Sequence, residues 1–265
     1  FGGMENPRLT FLSPTTIAGD KSLTSVVAHE LAHSWSGNLV TNGAWADFWL
    51  NEGFTVYFER RIMEALYGED YAAMLAVLGF QDLEAEVESI GHNHKDTHLK
   101  LELEGRDPDD GMTDIAYEKG AYFLSTIAHQ VGQDKFDQFL SDYFDHHKFK
   151  TITTSEFLVY LNNYFDLDAS LQIEKWVYGP NIPENVVTKQ SDKFDKVDAA
   201  IVDFIKNNKL EEQDWTTHEW LHFLRKLPKD ISVDQMGRLD DQYAFSDTGN
   251  SEIMAAWLDL SIRSD

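Results

Sequence analysis

The 265-residue chain is predicted to be mainly α, with an α+β edge at its N-terminus. Three observations predict this. Apolar residues recur at helical spacing over most of the length, as in Phe54, Phe58, Ile62 and Leu66, the mark of helices with one buried stripe. Glycines such as Gly37 and Gly68 stand just past the ends of those stretches, where helices stop. Strand-like apolar sequence is confined to Leu9 to Leu12 near the start.

Taken in order, the first 20 residues are punctuated by Gly and Pro, with Leu9 to Leu12 as an edge strand. A helix is expected from Leu23 to Ser36, capped by Ser22 or Thr24 and stopped at Gly37. A second runs from about Asn51 to Leu66, and a third from Tyr71 to Ile90. The polar stretch His92 to Thr113, with Asp107-Pro108-Asp109-Asp110-Gly111, reads as irregular. Helices resume over Asp114–Val131, Asp134–His146 and Ser155–Phe165, and continue to Trp176. Gly179-Pro180-Asn181-Ile182-Pro183-Glu184 is the strongest breaker and divides residues 1–178 from 179–265. Beyond it, amphipathic stretches at Val197–Asn207, Thr217–Lys226, Val233–Tyr243 and Ser251–Ile262 read as the start of a helical array.

Composition narrows the function. The 46 acidic and 22 basic residues give a net charge of −24. That excludes phosphate-backbone binding of nucleic acid, which needs clustered Lys and Arg, and docking on anionic lipid. Aromatic residues at 13% are too many for a solvated, disordered chain. No apolar run reaches the roughly 18 residues of a membrane span. With no cysteine, thiolate metal sites and thiol nucleophiles are excluded, and any metal must sit on His, Asp and Glu. The lack of cysteine suits a reducing compartment, so a cytoplasmic location is expected. The chain opens on Phe1-Gly2-Gly3 and is expected to be the central portion of a longer polypeptide.

His29-Glu30-Leu31-Ala32-His33 places two imidazoles one turn apart on a single helix face, where both reach one ion. The five-residue pattern also occurs in ordinary charged helices. Here Val26, Val27, Ala28, Leu31 and Ala32 make the helix largely apolar. Ionisable groups in such an element are costly unless paired or bound to metal. Catalytic zinc keeps three protein ligands. Glu52, in Asn51-Glu52-Gly53 at the start of the next helix, is the candidate third.

The set His29-Glu30-x-x-His33 followed by Asn51-Glu52-Gly53 resembles the gluzincin metallopeptidases. The opening Gly2-Gly3-Met4-Glu5-Asn6 resembles the G-x-M-E-N motif of the aminopeptidase N family. Tyr117-Glu118-Lys119-Gly120 is most similar to the branch containing leukotriene A4 hydrolase and aminopeptidase B. The resemblance implies a thermolysin-like zinc catalytic domain over 1–178, then part of an α-helical, armadillo-like domain over 179–265. A β-rich domain would precede Phe1. It implies one Zn2+ on His29, His33 and Glu52, with Glu30 as general base. Tyr117 would donate to the developing oxyanion. Glu5 would bind the free α-amino group of a peptide substrate, with Gly2, Gly3 and Met4 beside it in the substrate site.

Asp109 matches a functional aspartate of the leukotriene hydrolase branch, and reads equally as an Asp in a solvated turn. That branch has a tyrosine where this chain carries Met112. The departure counts against a copy of its lipid-epoxide chemistry, which stands as the alternative to peptide hydrolysis. A catalytically silent binding relative would lack Glu30, a ligand or Tyr117; all are present. His92, His94 and His98 form a His-rich patch, read as a hydrated loop or a second metal site.

Overall fold

The computed structural model describes residues 2–167 and 169–263. The predicted helical class is borne out. At the N-terminal edge β1 (Gly3–Met4) pairs antiparallel with β2 (Phe11–Leu12), so the expected edge strand is present with a partner from the G-x-M-E-N stretch. The His-bearing helix α1 spans Thr24–Ala32 and stops earlier than expected. His33 is its cap, and Ser34 to Asn38 turn back through Gly37, whose φ of 102° replaces a further helical turn. Neither proposed capping side chain is used. Leu23 occupies the cap, and the Ser22 hydroxyl bonds Asp20 instead.

Next come β3 (Val40–Asn42), α2 (Trp49–Tyr67) and α3 (Glu69–Ile90). A five-residue π-turn, Ile115–Lys119, runs directly into α4 (Gly120–Val131). There follow α5 (Gln133–His147), β4 (Lys150–Ile152), α6 (Thr154–Tyr164) and α7 (Ile173–Tyr178). The parallel pair β3–β4, Val40 opposite Lys150, was not expected. Three-residue strands carry no alternation to read, and their partners lie far apart in the chain.

Helix α2 is the axis of the larger core. Every residue from Trp49 to Tyr57 is buried, so this half of the helix has no exposed face. The stripe expected at Phe54, Phe58, Ile62 and Leu66 leaves the core toward the helix end, where Leu66 is 61% exposed. Trp49, Phe54, Phe123, Phe139, Tyr143 and Phe157 interlock around it, with Phe54 stacked on Tyr143 at 5.5 Å. Such offset aromatic pairs add about 0.5–1.5 kcal/mol beyond burial. Buried Asp47, just before α2, accepts from the Thr154 amide and hydroxyl, and so ties α6 to the start of α2.

A close approach sets how α2 meets the π-turn and α4. A Cβ on Gly53 would lie 2.8 Å from Gly120 Cα, and one on Gly120 the same distance from Gly53 Cα. Only paired glycines let these backbones come so near, and the residues flanking them are Glu52 and the π-turn carrying Tyr117.

Past residue 178, α8 (Asp192–Asn207), α9 (Thr217–Lys226), α10 (Val233–Tyr243) and α11 (Ser251–Arg263) are amphipathic helices around a second core of Val197, Phe204, Phe223, Leu239 and Trp257. Helix α8 begins before the expected Val197 because Ser191 caps it, accepting from the Phe194 amide. Capping boxes Thr216/Glu219 and Ser232/Gln235 start α9 and α10. A small cluster of Met74, Leu78, Phe194 and Leu221 joins α3 to α8 and α9. Among the described residues no helix is long and apolar enough to cross a membrane.

Candidate metal centre

Helix α1 and the start of α2 bring His29, His33 and Glu52 together. Glu52 Oε2 lies 3.1 Å from His29 Nε2 and 3.5 Å from His33 Nε2, and one ligand atom from each residue falls within 4.8 Å of the others. Ligands of a tetrahedral ion with bonds of about 2.0–2.1 Å sit about 3.3 Å apart, so two of the three separations already suit a metal. The donor set, two imidazoles and a carboxylate, is one that zinc takes.

Each imidazole is oriented from behind. His29 Nδ1 is 3.1 Å from Glu59 Oε2. His33 Nδ1 faces the Ser36 carbonyl and Asn51 Oδ1, each at 3.0 Å. Those acceptors hold the proton of His33 on Nδ1 and leave Nε2 to face Glu52, the usual arrangement behind a metal-ligating histidine. For His29, burial opposes the charged form, but the bonds to Glu52 and Glu59 outweigh it and raise its pKa to about 10. Two carboxylates around one imidazole make a cation-seeking pocket, in which a metal takes the place of the Nε2 proton. Glu59 was not predicted. It lies two helical turns beyond Glu52 on α2, and that spacing was the available signal.

Glu30 projects beside the ligands. It is buried, and among the described residues its Oε2 has no hydrogen-bond partner. Burial raises its pKa, against the pull of His29 and His33. Gly3 on β1 makes room for it, since a methyl at Gly3 would overlap the Glu30 carboxylate. Glu5 Oε1 is 4.0 Å from His33 Nδ1, and the Glu5 carbonyl accepts from Asn38 Nδ2, which fixes the strand end against the turn after α1.

Tyr117 stacks near-parallel on the His29 ring with 6.2 Å between centroids, and meets Phe48 edge-on. Burial first, then Glu52 and Glu5, push its phenol upward, so it stays a proton donor at neutral pH. Its neighbour Glu118 pairs with Arg60 of α2. These groups border one open cleft of about 720 Å³, together with Gly2, Gly3 and Met4. Val26, Ala44, Trp45, Phe48 and Met112 supply its apolar wall.

Asp109 does not border this cleft. It is exposed in the turn Pro108–Gly111, where its amide donates to Asp107. The solvated-turn reading is the one its position matches. His92, His94 and His98 do not converge: His92 bonds Glu88 and His94 accepts from the Asp96 amide. Among the described residues, potential metal groups occur only in the cleft.

Residues 1–176 match the peptidase family M1 domain, and residues 215–265 match the C-terminal region of leukotriene A4 hydrolase. Leucine aminopeptidase 2 of Ajellomyces capsulatus is 34% identical over 291 residues, covering 99% of this chain and 45% of that protein. Leucine aminopeptidase 2 of Aspergillus terreus is 43% identical over 212 residues, covering 77% and 33%. Yeast LTA4 hydrolase in complex with bestatin superposes with a TM-score of 0.89 at 31% identity, over 100% of this chain and 48% of the other. An M1 zinc metallopeptidase from Deinococcus radiodurans, bound to a Tyr-Ser-Ala substrate, gives 0.56 at 26% identity, over 70% and 38%. The chain thus spans about a third to a half of the length of these relatives.

Proposed function

Because the chain belongs to peptidase family M1, we propose that its cleft removes the N-terminal residue from peptides with a free amino group. The observation that carries this reading is Glu30 Oε2, a buried carboxylate oxygen without a protein partner, beside a two-His, one-Glu ligand set. A zinc ion held by His29, His33 and Glu52 would act as a Lewis acid on the scissile carbonyl and on water. Glu30 takes the proton of the attacking water and passes it to the leaving amine, a role its raised pKa suits. Tyr117, held protonated, donates to the carbonyl oxygen as charge develops there. Glu5 accepts from the substrate ammonium, and Gly2, Gly3 and Met4 form the extended edge beside it. Among the described residues no Lys or Arg borders the cleft, and its wall of Trp45, Phe48 and Met112 suits an apolar first residue, as the name of the leucine aminopeptidase relatives suggests.

We place the boundary of the catalytic domain at residue 178 and read 179–265 as the start of a helical domain. The separate second core and the match of residues 215–265 support this.

The test combines zinc quantification with paired substrates. Leucyl peptides are expected to be cleaved, and their N-acetylated forms are not. Glu5→Ala should lower kcat/KM for the free peptide by at least about 30-fold, the effect of about 2 kcal/mol from a lost charge pair, with zinc content unchanged. Equal cleavage of acetylated and free peptides overturns the assignment. The likeness to yeast LTA4 hydrolase supports a second reading, hydrolysis of a lipid epoxide in the same cleft. Assaying both substrate types with and without chelator separates the two.

A further inference from the structure

Lys119 ends the π-turn and is fully buried. Among the described residues no carboxylate pairs with it. Its Nζ instead donates to two backbone carbonyls, Thr97 O at 2.6 Å and Gly179 O at 2.9 Å. A lysine in such a place costs stability unless its position serves something. Burial brings its pKa down to about 7. The neutral amine still has two N–H donors, as many as the two carbonyls require, so the bridge holds in either charge state.

The segment that Lys119 grips also reaches the start of α2. The Lys100 amide donates to Val177 O, the Leu101 amide to Ala46 O, and Lys100 Nζ to Asp47 Oδ1 at 2.6 Å. The Asn181 amide donates to Thr97 Oγ1 at 2.8 Å, which ties in the chain just after Gly179. Residues 97–101 are therefore a strap between the π-turn that carries Tyr117 and the helix that carries Glu52. A π-turn holds its own shape less firmly than an α-helix, so its side chains depend on ties from outside. Tyr117 has two next to it in sequence: Glu118 paired with Arg60, and Lys119 bridging the strap.

We propose that Lys119 is a positioning residue for Tyr117, fixing the phenol against the ligand set by bridging Thr97 O and Gly179 O. The inference rests on the reading of Tyr117 as donor to the substrate oxygen. Misplacing a catalytic group by about 1 Å can cost about 100-fold in rate, so removing the bridge should act on turnover and spare substrate binding.

The test is a double-variant cycle on the zinc-loaded full chain with a leucyl peptide. Lys119→Met is expected to lower kcat about 10- to 100-fold, with KM within about twofold and zinc content unchanged. In a Tyr117→Phe background it should lower kcat by less than about twofold, because the group it positions is gone. An equal loss in both backgrounds, or a parallel loss of zinc, makes Lys119 merely structural and overturns the proposal. Normal turnover by Tyr117→Phe alone overturns the reading of Tyr117, and this proposal with it. Should Lys119→Met not fold, Thr97→Val removes the hydroxyl that holds Asn181 while sparing the lysine. The same cycle then applies: a kcat loss that vanishes beside Tyr117→Phe supports the strap, and one that persists overturns it.

Discussion

Helices α2 and α8 bury their residues in different ways. From Trp49 to Tyr57, α2 is enclosed on every side, and Asn51, Glu52 and Thr55 are buried along with its aromatics. Helix α8 keeps Phe194, Val197, Ile201 and Phe204 inward, while most of its charged residues face water. The same contrast extends to the two cores. Around the cleft the interior holds Glu30, His33, Asp47, Glu52 and Lys119, whereas around the second core the buried polar groups are Ser191, Thr217, His218, His222 and Asn250, with no Asp, Glu, Lys or Arg among the described residues. Buried polar groups cost stability unless each finds a partner. The cleft region therefore depends on exact neighbours, and the helical array depends mainly on keeping its faces sorted.

Glu30 breaks this contrast most sharply, because it is a buried acid beside the ligand set whose Oε2 finds no partner among the described residues. Glu30→Gln is expected to lower kcat by about 100- to 10,000-fold, the usual worth of a general base, with bound zinc retained. The melting temperature should not fall, since burial already disfavours the carboxylate. Activity and stability would then separate at one residue. Turnover within tenfold of the parent would remove Glu30 from the mechanism, and a large loss of stability would show its carboxylate to be structural.

What could be read from the sequence follows the same division. His29, Glu30 and His33 were legible because their relation is local, one turn of one helix, and Glu52 because it opens the next. Glu59 was not, since its role appears only when α1 and α2 pack side by side. Lys119 was seen only as part of Tyr117-Glu118-Lys119-Gly120, and its partners are carbonyls at Thr97 and Gly179 that no side-chain pattern marks. The π-turn escaped for a related reason: its residues have ordinary helical character, and its shape is set by Gly53 against Gly120 and by Arg60 against Glu118. In the array, amphipathic periodicity alone located α8 to α11, although α9 buries Thr217, His218 and every residue from Trp220 to Leu224 rather than a single face. Only the start of α8 was misplaced, where the Ser191 cap lies upstream of the apolar stripe.

Gly53 sharpens the comparison from the side of packing. Its added Cβ would press on the Gly120 backbone and on Ala116 O, and neither can swing away as a side chain would. Gly53→Ala should destabilise the protein by about 1–3 kcal/mol, the usual cost of overpacking. Because the displaced elements carry Glu52 and Tyr117, kcat should fall as well. Thermal unfolding and peptide hydrolysis check both effects. Parent-like values for stability and rate would show that the glycine pair does not set the approach of α2 to the π-turn.

The same substitution in the second region should have the opposite sign. Gly237 lies inside α10, is exposed, and has nothing within 4 Å of where a Cβ would stand. Glycine in a helix interior costs about 0.5–1 kcal/mol relative to alanine, because it loses more backbone freedom on folding. Gly237→Ala should therefore stabilise the chain by that amount and raise the melting temperature by about 1–4 °C. Hydrolysis should not change, since α10 borders no part of the cleft. The two glycines are both helical, and only what surrounds the missing methyl differs. A lowered melting temperature for Gly237→Ala would mean that α10 is held by a tighter fit than its open surface indicates, and the contrast between an enclosed catalytic helix and a face-sorted array would fail there.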